Sequence, residues 1–94
     1  MEMAKVMKCE VGDCAYNMDD MCRTMAITIG NGSSSVCDTF FHATSKGGDA
    51  GTMAKVGACK VSNCKHNSRF ECQAPGIDVG YQDREADCMT FELR

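Results

Sequence analysis

The amino-acid sequence predicts a small, β-rich fold that is stabilised by metal ions or by disulfides and consists of two tandem homologous modules. Three observations lead to this class. One spacing of four cysteines occurs twice, the 94 residues include no Trp and only four Phe and two Tyr, and short alternating segments end at glycine in both halves. A unit of about 40 residues rarely buries enough apolar surface to fold alone, so we expect the cysteines to cross-link each module.

The cysteines define the two modules. Consecutive cysteines are separated by four, seven and fourteen residues in the first half of the chain, and by four, seven and fifteen in the second. The pattern uses all eight cysteines, which are Cys9, Cys14, Cys22 and Cys37 in the first half and Cys59, Cys64, Cys72 and Cys88 in the second. We therefore assign residues 1–41 to a first module and residues 53–94 to a second.

A polar, glycine-rich segment, residues 42–52, separates the two modules. It has no apolar periodicity, which is typical of a flexible linker. The modules are then expected either to be independent units joined by a short linker or to dock face to face.

The first two cysteines of each module require a turn between them. Positions five apart in the sequence point in different directions on a helix and on a strand, so Cys9 and Cys14 can approach each other only where the chain changes direction. Gly12-Asp13 in the first module and Ser62-Asn63 in the second are suitable turn-forming pairs.

A short hairpin is predicted next, with its tip within residues 17–19 or 67–69. Such a hairpin would make the second and third cysteines of a module cross-strand neighbours. Asn17 and Asn67 would lie at the tip, where Asn tolerates a left-handed backbone. A short helical turn through Asp19-Asp20 is the alternative.

A third strand follows each hairpin. Residues 26–29 and 76–79 alternate apolar with polar or small side chains, and a glycine follows each segment. This pattern is typical of a strand with one buried face. An irregular surface loop then leads to the fourth cysteine, and we expect Phe40 or Phe91 to cover the small core of its module.

The chemistry of four cysteines per module favours zinc. Four is the ligand number of a structural tetrahedral zinc site, so we expect two zinc ions, one held by each set of four. Four thiolates around one divalent ion need backbone N–H donors or cations nearby. The lysines closest in sequence to the first cysteine of each module are Lys5, Lys8, Lys55 and Lys60.

Two alternatives to zinc are open. Two disulfides per module would use the same cysteines, in any of three pairings that the sequence does not distinguish. An iron–sulfur cluster is disfavoured because closely spaced Cys-x-x-Cys runs are absent. A catalytic role is not expected, since no acid, base or hydroxyl group recurs beside a recurring cysteine. Neither histidine is expected to be a ligand, because His66 aligns with Tyr16 and His42 lies in the linker.

Charge and composition narrow the possible partners. The formal net charge is −3, and neither half has the basic surface of a nucleic-acid binder. No apolar run approaches the roughly 20 residues that cross a membrane, and the first residues lack the features of a signal peptide. We therefore expect a cytoplasmic protein, where reduced thiols are usual and a cysteine pattern more often indicates metal.

The motifs Cys-x4-Cys-x-Tyr-Asn-x4-Cys, Ile-x-Ile-Gly and Cys-x-Thr-Phe resemble a bacterial family of four-cysteine modules known as a domain of unknown function (number 1540). In the first module the match rests on the cysteines and on Tyr16, Asn17, Ile27, Ile29, Thr39 and Phe40. In the second it rests on the cysteines and on Asn67, Ile77, Val79, Thr90 and Phe91, while His66 departs from the family's Tyr. The resemblance implies a bacterial, anaerobic or spore-forming source and metal binding by the cysteines, and it implies no activity.

These observations together predict a non-enzymatic tandem zinc module that acts as a small scaffold or protein-interaction unit. Its partner would be another protein rather than nucleic acid or a membrane. One alternative is a spore-associated structural protein that is cross-linked by disulfide bonds. Another is a metal-storage or iron–sulfur redox protein.

Overall fold

A computed structural model describes residues 3–30, 34–82 and 84–94. These residues form short strands and no helix, so they include no helix that could cross a membrane. The strands are β1 (Lys5–Cys9), β2 (Asn17–Met18), β3 (Met21–Cys22), β4 (Ala26–Ile29), β5 (Lys55–Cys59), β6 (Asn67–Ser68), β7 (Glu71–Cys72), β8 (Gly76–Gln82) and β9 (Glu85–Cys88). The predicted β-rich fold with two tandem modules is confirmed.

Each module contains the predicted hairpin, but the tip lies further along the chain. Strands β2 and β3 pair Asn17 with Cys22 and Met18 with Met21, so the tip is Asp19-Asp20. Both tip residues have positive φ, 56° and 60°, which is the signature of a two-residue type I′ turn.

The second module repeats this hairpin. Strands β6 and β7 pair Asn67 with Cys72, and the tip residues Arg69 and Phe70 have φ of 54° and 66°. The predicted tip at residues 17–19 and 67–69 is therefore wrong, and so is the alternative of a helical turn. Because the turn is only two residues long, the third cysteine lies opposite the Asn and not opposite the second cysteine.

The two modules share one sheet with the strand order β4-β5-β1-β8-β9. The first strands, β1 and β5, pair antiparallel at its centre, with Lys5 opposite Lys55. Strand β1 pairs in parallel with β8 of the second module, and β5 pairs in parallel with β4 of the first. Each first strand thus pairs with the third strand of the other module, which is neither of the two arrangements expected from the sequence.

A bulge in each parallel ladder sets which side chains face the core. The register of β1 against β8 shifts between Val6 and Lys8. Val6 and Cys9 are three residues apart, yet both are buried, which a regular two-residue alternation would not allow. The corresponding ladder of β4 and β5 also shifts, and Val56 and Cys59 are both buried.

Residues 35–38, which we call the closing segment, join the two edges of the sheet. On one side Cys37 N–H donates to Ala86 O at 2.6 Å and Cys88 N–H donates to Ser35 O at 2.8 Å. On the other side Asp38 N–H donates to Thr28 O at 2.9 Å. The five-stranded sheet and the closing segment therefore form a closed ring, which we call the barrel, and the closing segment pairs with backbone groups on the outer edges of β4 and β9.

Small aliphatic side chains and the cysteines fill the centre. The largest fully buried side chains come from both modules and are Val6, Val11, Val56, Val61 and Ile77. Phe40 is 41% exposed, and Phe91 packs against the core while remaining partly exposed. Phe91 thus covers part of the core as expected, and Phe40, although more exposed, lines the cavity that Cys9 and Cys22 of its module border.

The linker follows the surface of the first module. His42 forms a bridge with Cys14, and Leu93 forms the equivalent bridge with Cys64. Further on, Gly47 N–H donates to Ala15 O at 2.8 Å. His42 thus has a structural equivalent in the second module, which the sequence alignment did not identify. The proposed boundaries of the modules remain a prediction.

Candidate functional site

The structure brings together the four cysteines of each module. Those of the first module line one cavity of about 10 Å³, and those of the second line another of about 20 Å³. We call these sets the first cluster (Cys9, Cys14, Cys22 and Cys37) and the second cluster (Cys59, Cys64, Cys72 and Cys88). All eight cysteines are free of disulfide bonds.

The two clusters do not have the geometry of formed metal centres. In residues 3–30, 34–82 and 84–94, no three His, Cys, Asp or Glu side chains meet the spacing of a metal-binding group. The clusters are therefore sets of neighbouring thiols around a small cavity, and their role as metal ligands remains a prediction.

Four different parts of a module supply the members of its cluster. In the first module they are the end of β1 (Cys9), the turn after it (Cys14), strand β3 (Cys22) and the closing segment (Cys37). The turn is closed by Cys14 N–H, which donates to Val11 O at 3.1 Å. The predicted turn between the first two cysteines is confirmed, and the equivalent bond in the second module joins Cys64 to Val61 at 3.0 Å.

A buried Asn holds the first cysteine of each cluster. Asn17 Nδ2 donates to Cys9 O at 2.7 Å, and Asn67 Nδ2 donates to Cys59 O at 2.8 Å. Asn67 Oδ1 also accepts a hydrogen bond from Phe70 N–H at 3.2 Å. The side chain therefore links the hairpin turn to the first cysteine, a role that differs from the predicted position of Asn at the turn tip.

Backbone N–H groups point at the sulfur atoms of the third and fourth cysteines. In the first cluster Thr24 N–H bonds Cys22 and Thr39 N–H bonds Cys37, and each bond lowers the pKa of its thiol. The donor lies two residues after the cysteine in both cases. The equivalent donors in the second cluster are the N–H groups of Ala74 and Thr90. Such donors stabilise negative charge on sulfur.

For the third and fourth cysteines of each cluster, burial outweighs the effect of the N–H donors, and the pKa of each thiol is raised. Burial is the main cause that raises the pKa of Cys37 to about 11 and that of Cys88 to about 12. Repulsion from the other three thiolates of the same cluster adds to the rise in both cases. Without a cation, these two cysteines are therefore neutral thiols at pH 7.

A cation that has no counterpart in the other module contacts the second cysteine of each cluster. Lys46 Nζ donates to Cys14 O at 3.2 Å, and Arg94 Nη2 donates to Cys64 O at 3.0 Å. The sequence instead predicts a lysine near the first cysteine. Of those candidates, Lys8 pairs with Glu10 at 2.9 Å and both side chains are more than half exposed. Repeat alignment could not find Lys46 or Arg94, because each occurs in only one copy.

The threonine of each Cys-x-Thr-Phe motif fixes the fourth cysteine. Thr39 Oγ1 accepts a hydrogen bond from Thr28 N–H at 3.0 Å, and Thr90 Oγ1 accepts one from Asp78 N–H at 3.0 Å. Each bond ties the segment after the fourth cysteine to the third strand of the same module.

The walls of each cavity include residues of the opposite module. Val79 and Ala86 line the cavity of the first cluster, and Ile29 and Ser35 line that of the second. Tyr16 borders the first cavity and His66 borders the second. His66 Nε2 lies 3.1 Å from Glu92 Oε2, which places this nitrogen against a carboxylate.

A family model described as Domain of Unknown Function (DUF1540) matches the chain twice, over residues 7–40 and 58–91. The matched segments contain all eight cysteines, both buried Asn residues and both threonines described above. No curated protein and no solved structure matches the chain.

Proposed function

The chain belongs to the DUF1540 family of domains of unknown function, and we propose that it is a structural metalloprotein that binds one zinc ion in each cysteine cluster. The observation that carries this proposal is the convergence of four thiols from four separate segments on one small cavity, in both modules. Each cluster would provide the four ligands of one ion.

The size and the donors of the clusters fit a single ion. Cavities of about 10 and 20 Å³ have room for one water-sized particle, whereas an iron–sulfur cluster of several atoms is larger. Thiolate donors select soft or borderline metals such as zinc over magnesium or calcium. Backbone N–H donors at two sulfurs of each cluster would offset part of the negative charge that four thiolates bring.

The role that best agrees with these features is a structural one. An ion bound by four segments would fix the turn, the hairpin and the segment that contains the fourth cysteine of a module. Such binding contributes directly to the free energy of folding. A thiol nucleophile needs a lowered pKa, whereas the pKa values of Cys37 and Cys88 are raised. We propose that the protein is a non-enzymatic, cytoplasmic scaffold whose partner is another protein.

Native mass spectrometry with elemental analysis tests this proposal. We expect two zinc ions per chain, and eight thiols that react with an alkylating agent after denaturation. A metal-free chain lighter by about eight hydrogens would indicate four disulfides and contradict the proposal. Iron accompanied by visible absorbance would also contradict it and indicate a redox protein. As a control, chelator-treated protein should regain two ions when zinc is added back.

A further inference from the structure

The two cysteine clusters are joined through the shared barrel. Cys9 of the first cluster lies opposite Val79 in the sheet, and Val79 in turn lies opposite Cys88 of the second cluster. On the other side of the barrel, Cys59 lies opposite Ile29, and Ile29 lies opposite Cys37. A single residue therefore separates a member of one cluster from a member of the other, in two places.

Hydrogen bonds from the opposite module hold the backbone at these positions. Next to the first cluster, Glu10 N–H donates to Val79 O at 2.9 Å and Cys37 N–H donates to Ala86 O at 2.6 Å. Next to the second, Lys60 N–H donates to Ile29 O at 2.7 Å.

Ser35 provides two further contacts between the modules. Its carbonyl oxygen accepts a hydrogen bond from Cys88 N–H at 2.8 Å, and its Oγ donates to Cys88 O at 3.4 Å. The same short segment contains Cys37 of the first cluster. The closing segment thus holds a cysteine of one cluster in place while carrying a cysteine of the other.

We propose that the two clusters bind their metal ions cooperatively, each completed ion site preorganising the other through the strands that they share. This inference rests on the proposed function and adds a regulation to it. It also identifies the residues that transmit the coupling, which are Ile29, Ser35, Val79 and Ala86.

The coupling follows from which strands a bound ion would order. An ion in the first cluster fixes Cys9 and Cys37, whose neighbours Val79 and Ala86 belong to β8 and β9. Strand β9 ends at Cys88 of the second cluster. Ordering this strand lowers the conformational entropy that the second ion must overcome, and by linkage the second ion strengthens the binding of the first to the same degree.

A titration of the full chain with zinc, followed by native mass spectrometry, tests the proposal. At one zinc per chain, two independent and equal sites give about half of the molecules in the one-ion form. We expect the one-ion form to be far less abundant than this, with metal-free and two-ion chains predominating. A one-ion form at or above that fraction would overturn the coupling and leave the proposed function intact. Absence of any bound ion would overturn both.

Ligand variants give a second measurement. Cys22→Ser should remove the first site and lower the zinc affinity of the second by roughly tenfold, within the usual range of coupling between sites. Cys72→Ser should have the reciprocal effect on the first site. Met25→Ser is a matched control, because Met25 is 82% exposed and lies in neither cluster. An unchanged affinity at the intact site in both cysteine variants would contradict the coupling.

Variants of the cavity-lining residues keep all eight cysteines. They test whether these residues transmit the coupling between the clusters. Val79→Ala enlarges the cavity of the first cluster although it lies in the second module, and Ile29→Ala does the reverse. If these side chains transmit the coupling, either variant should raise the one-ion fraction at one zinc per chain above that of the parent protein, while still binding two ions in excess zinc. A one-ion fraction equal to that of the parent protein in both variants would contradict the assigned path.

Discussion

Asn17 and Asn67 show how a single polar residue organises each cysteine cluster. Both side chains are buried, with 5% and 7% exposure, and both donate to the carbonyl oxygen of the first cysteine. A buried amide of this kind is stabilising only when it is paired, and removing it leaves a buried carbonyl without its donor. The recurrence of Asn in both copies was visible in the sequence, but its partner was not, because the bond crosses eight residues of a folded turn.

Replacing this Asn should destabilise the fold. We expect Asn67→Ala to lower the free energy of unfolding by about 1–3 kcal/mol, since Cys59 O and Phe70 N–H both lose a partner. Ser68→Ala, at the exposed neighbouring position, is the control and should change stability by less than about 0.5 kcal/mol. Chemical denaturation of the two variants measures the difference. Equal stabilities would show that the Asn bond has no structural role.

The raised thiol pKa values predict how the metal-free, reduced protein responds to alkali. Burial favours the neutral thiols of Cys37 and Cys88 in the folded state, so their pKa values rise from 9.0 to about 11 and about 12. Their contribution is fully present below pH 9.0 and is lost as the pH rises through the folded-state values.

Denaturation of chelator-treated protein at increasing pH measures this effect. We expect stability to fall between pH 9.0 and about 12, and Cys88→Ser to weaken that dependence because it removes one of the two thiols. A stability that stays constant, or that rises, over this interval would contradict the burial of neutral thiols.

The hairpins show what can be predicted at the scale of an element. Alternating residues and paired cysteines correctly indicated a hairpin and a third strand in each module. The observed tip differs from the predicted one because a type I′ turn needs only two residues with positive φ. Asp19-Asp20 and Arg69-Phe70 adopt that conformation without glycine. Propensity alone does not reveal such turns when the usual Asn-Gly or Asp-Gly pair is missing.

A glycine at the turn should stabilise the hairpin. Asp20 has φ of 60°, a conformation that costs a residue with a side chain about 1 kcal/mol and costs glycine much less. We expect Asp20→Gly to raise the free energy of unfolding by about 0.5–1 kcal/mol. Asp38→Gly is the matched control, because Asp38 is exposed and has no positive φ, and it should be neutral or destabilising. A thermal melt in which Asp20→Gly unfolds below the parent protein would contradict this interpretation of the turn.

At the scale of the whole molecule, the strands exchange between the modules. The repeat correctly predicted which cysteines lie together, because local turns and hairpins bring together three of the four in each cluster. It did not predict that β1 pairs with β8 and β5 with β4, nor that residues 35–38 close the barrel. Such pairings depend on contacts between distant residues, and the periodicity of a single strand carries no information on its partner.

The shared barrel also changes how the small size of each module is understood. A module by itself would leave the edges of β1 and β4 unpaired and its cysteine cavity without part of its walls. The two modules together bury a common core from both halves of the chain. Both cysteine clusters therefore belong to one structure rather than to two separate ones.

X-ray absorption spectroscopy at the zinc edge of the purified protein tests the central claim most directly. If each cluster holds one ion through its four cysteines, the first shell will contain four sulfur atoms per zinc at about 2.3 Å and no nitrogen. Cys14→Ser should remove half of the bound zinc and leave the remaining spectrum unchanged. A first shell that contains nitrogen or oxygen, or fewer than four sulfur atoms, in the parent protein would contradict the account.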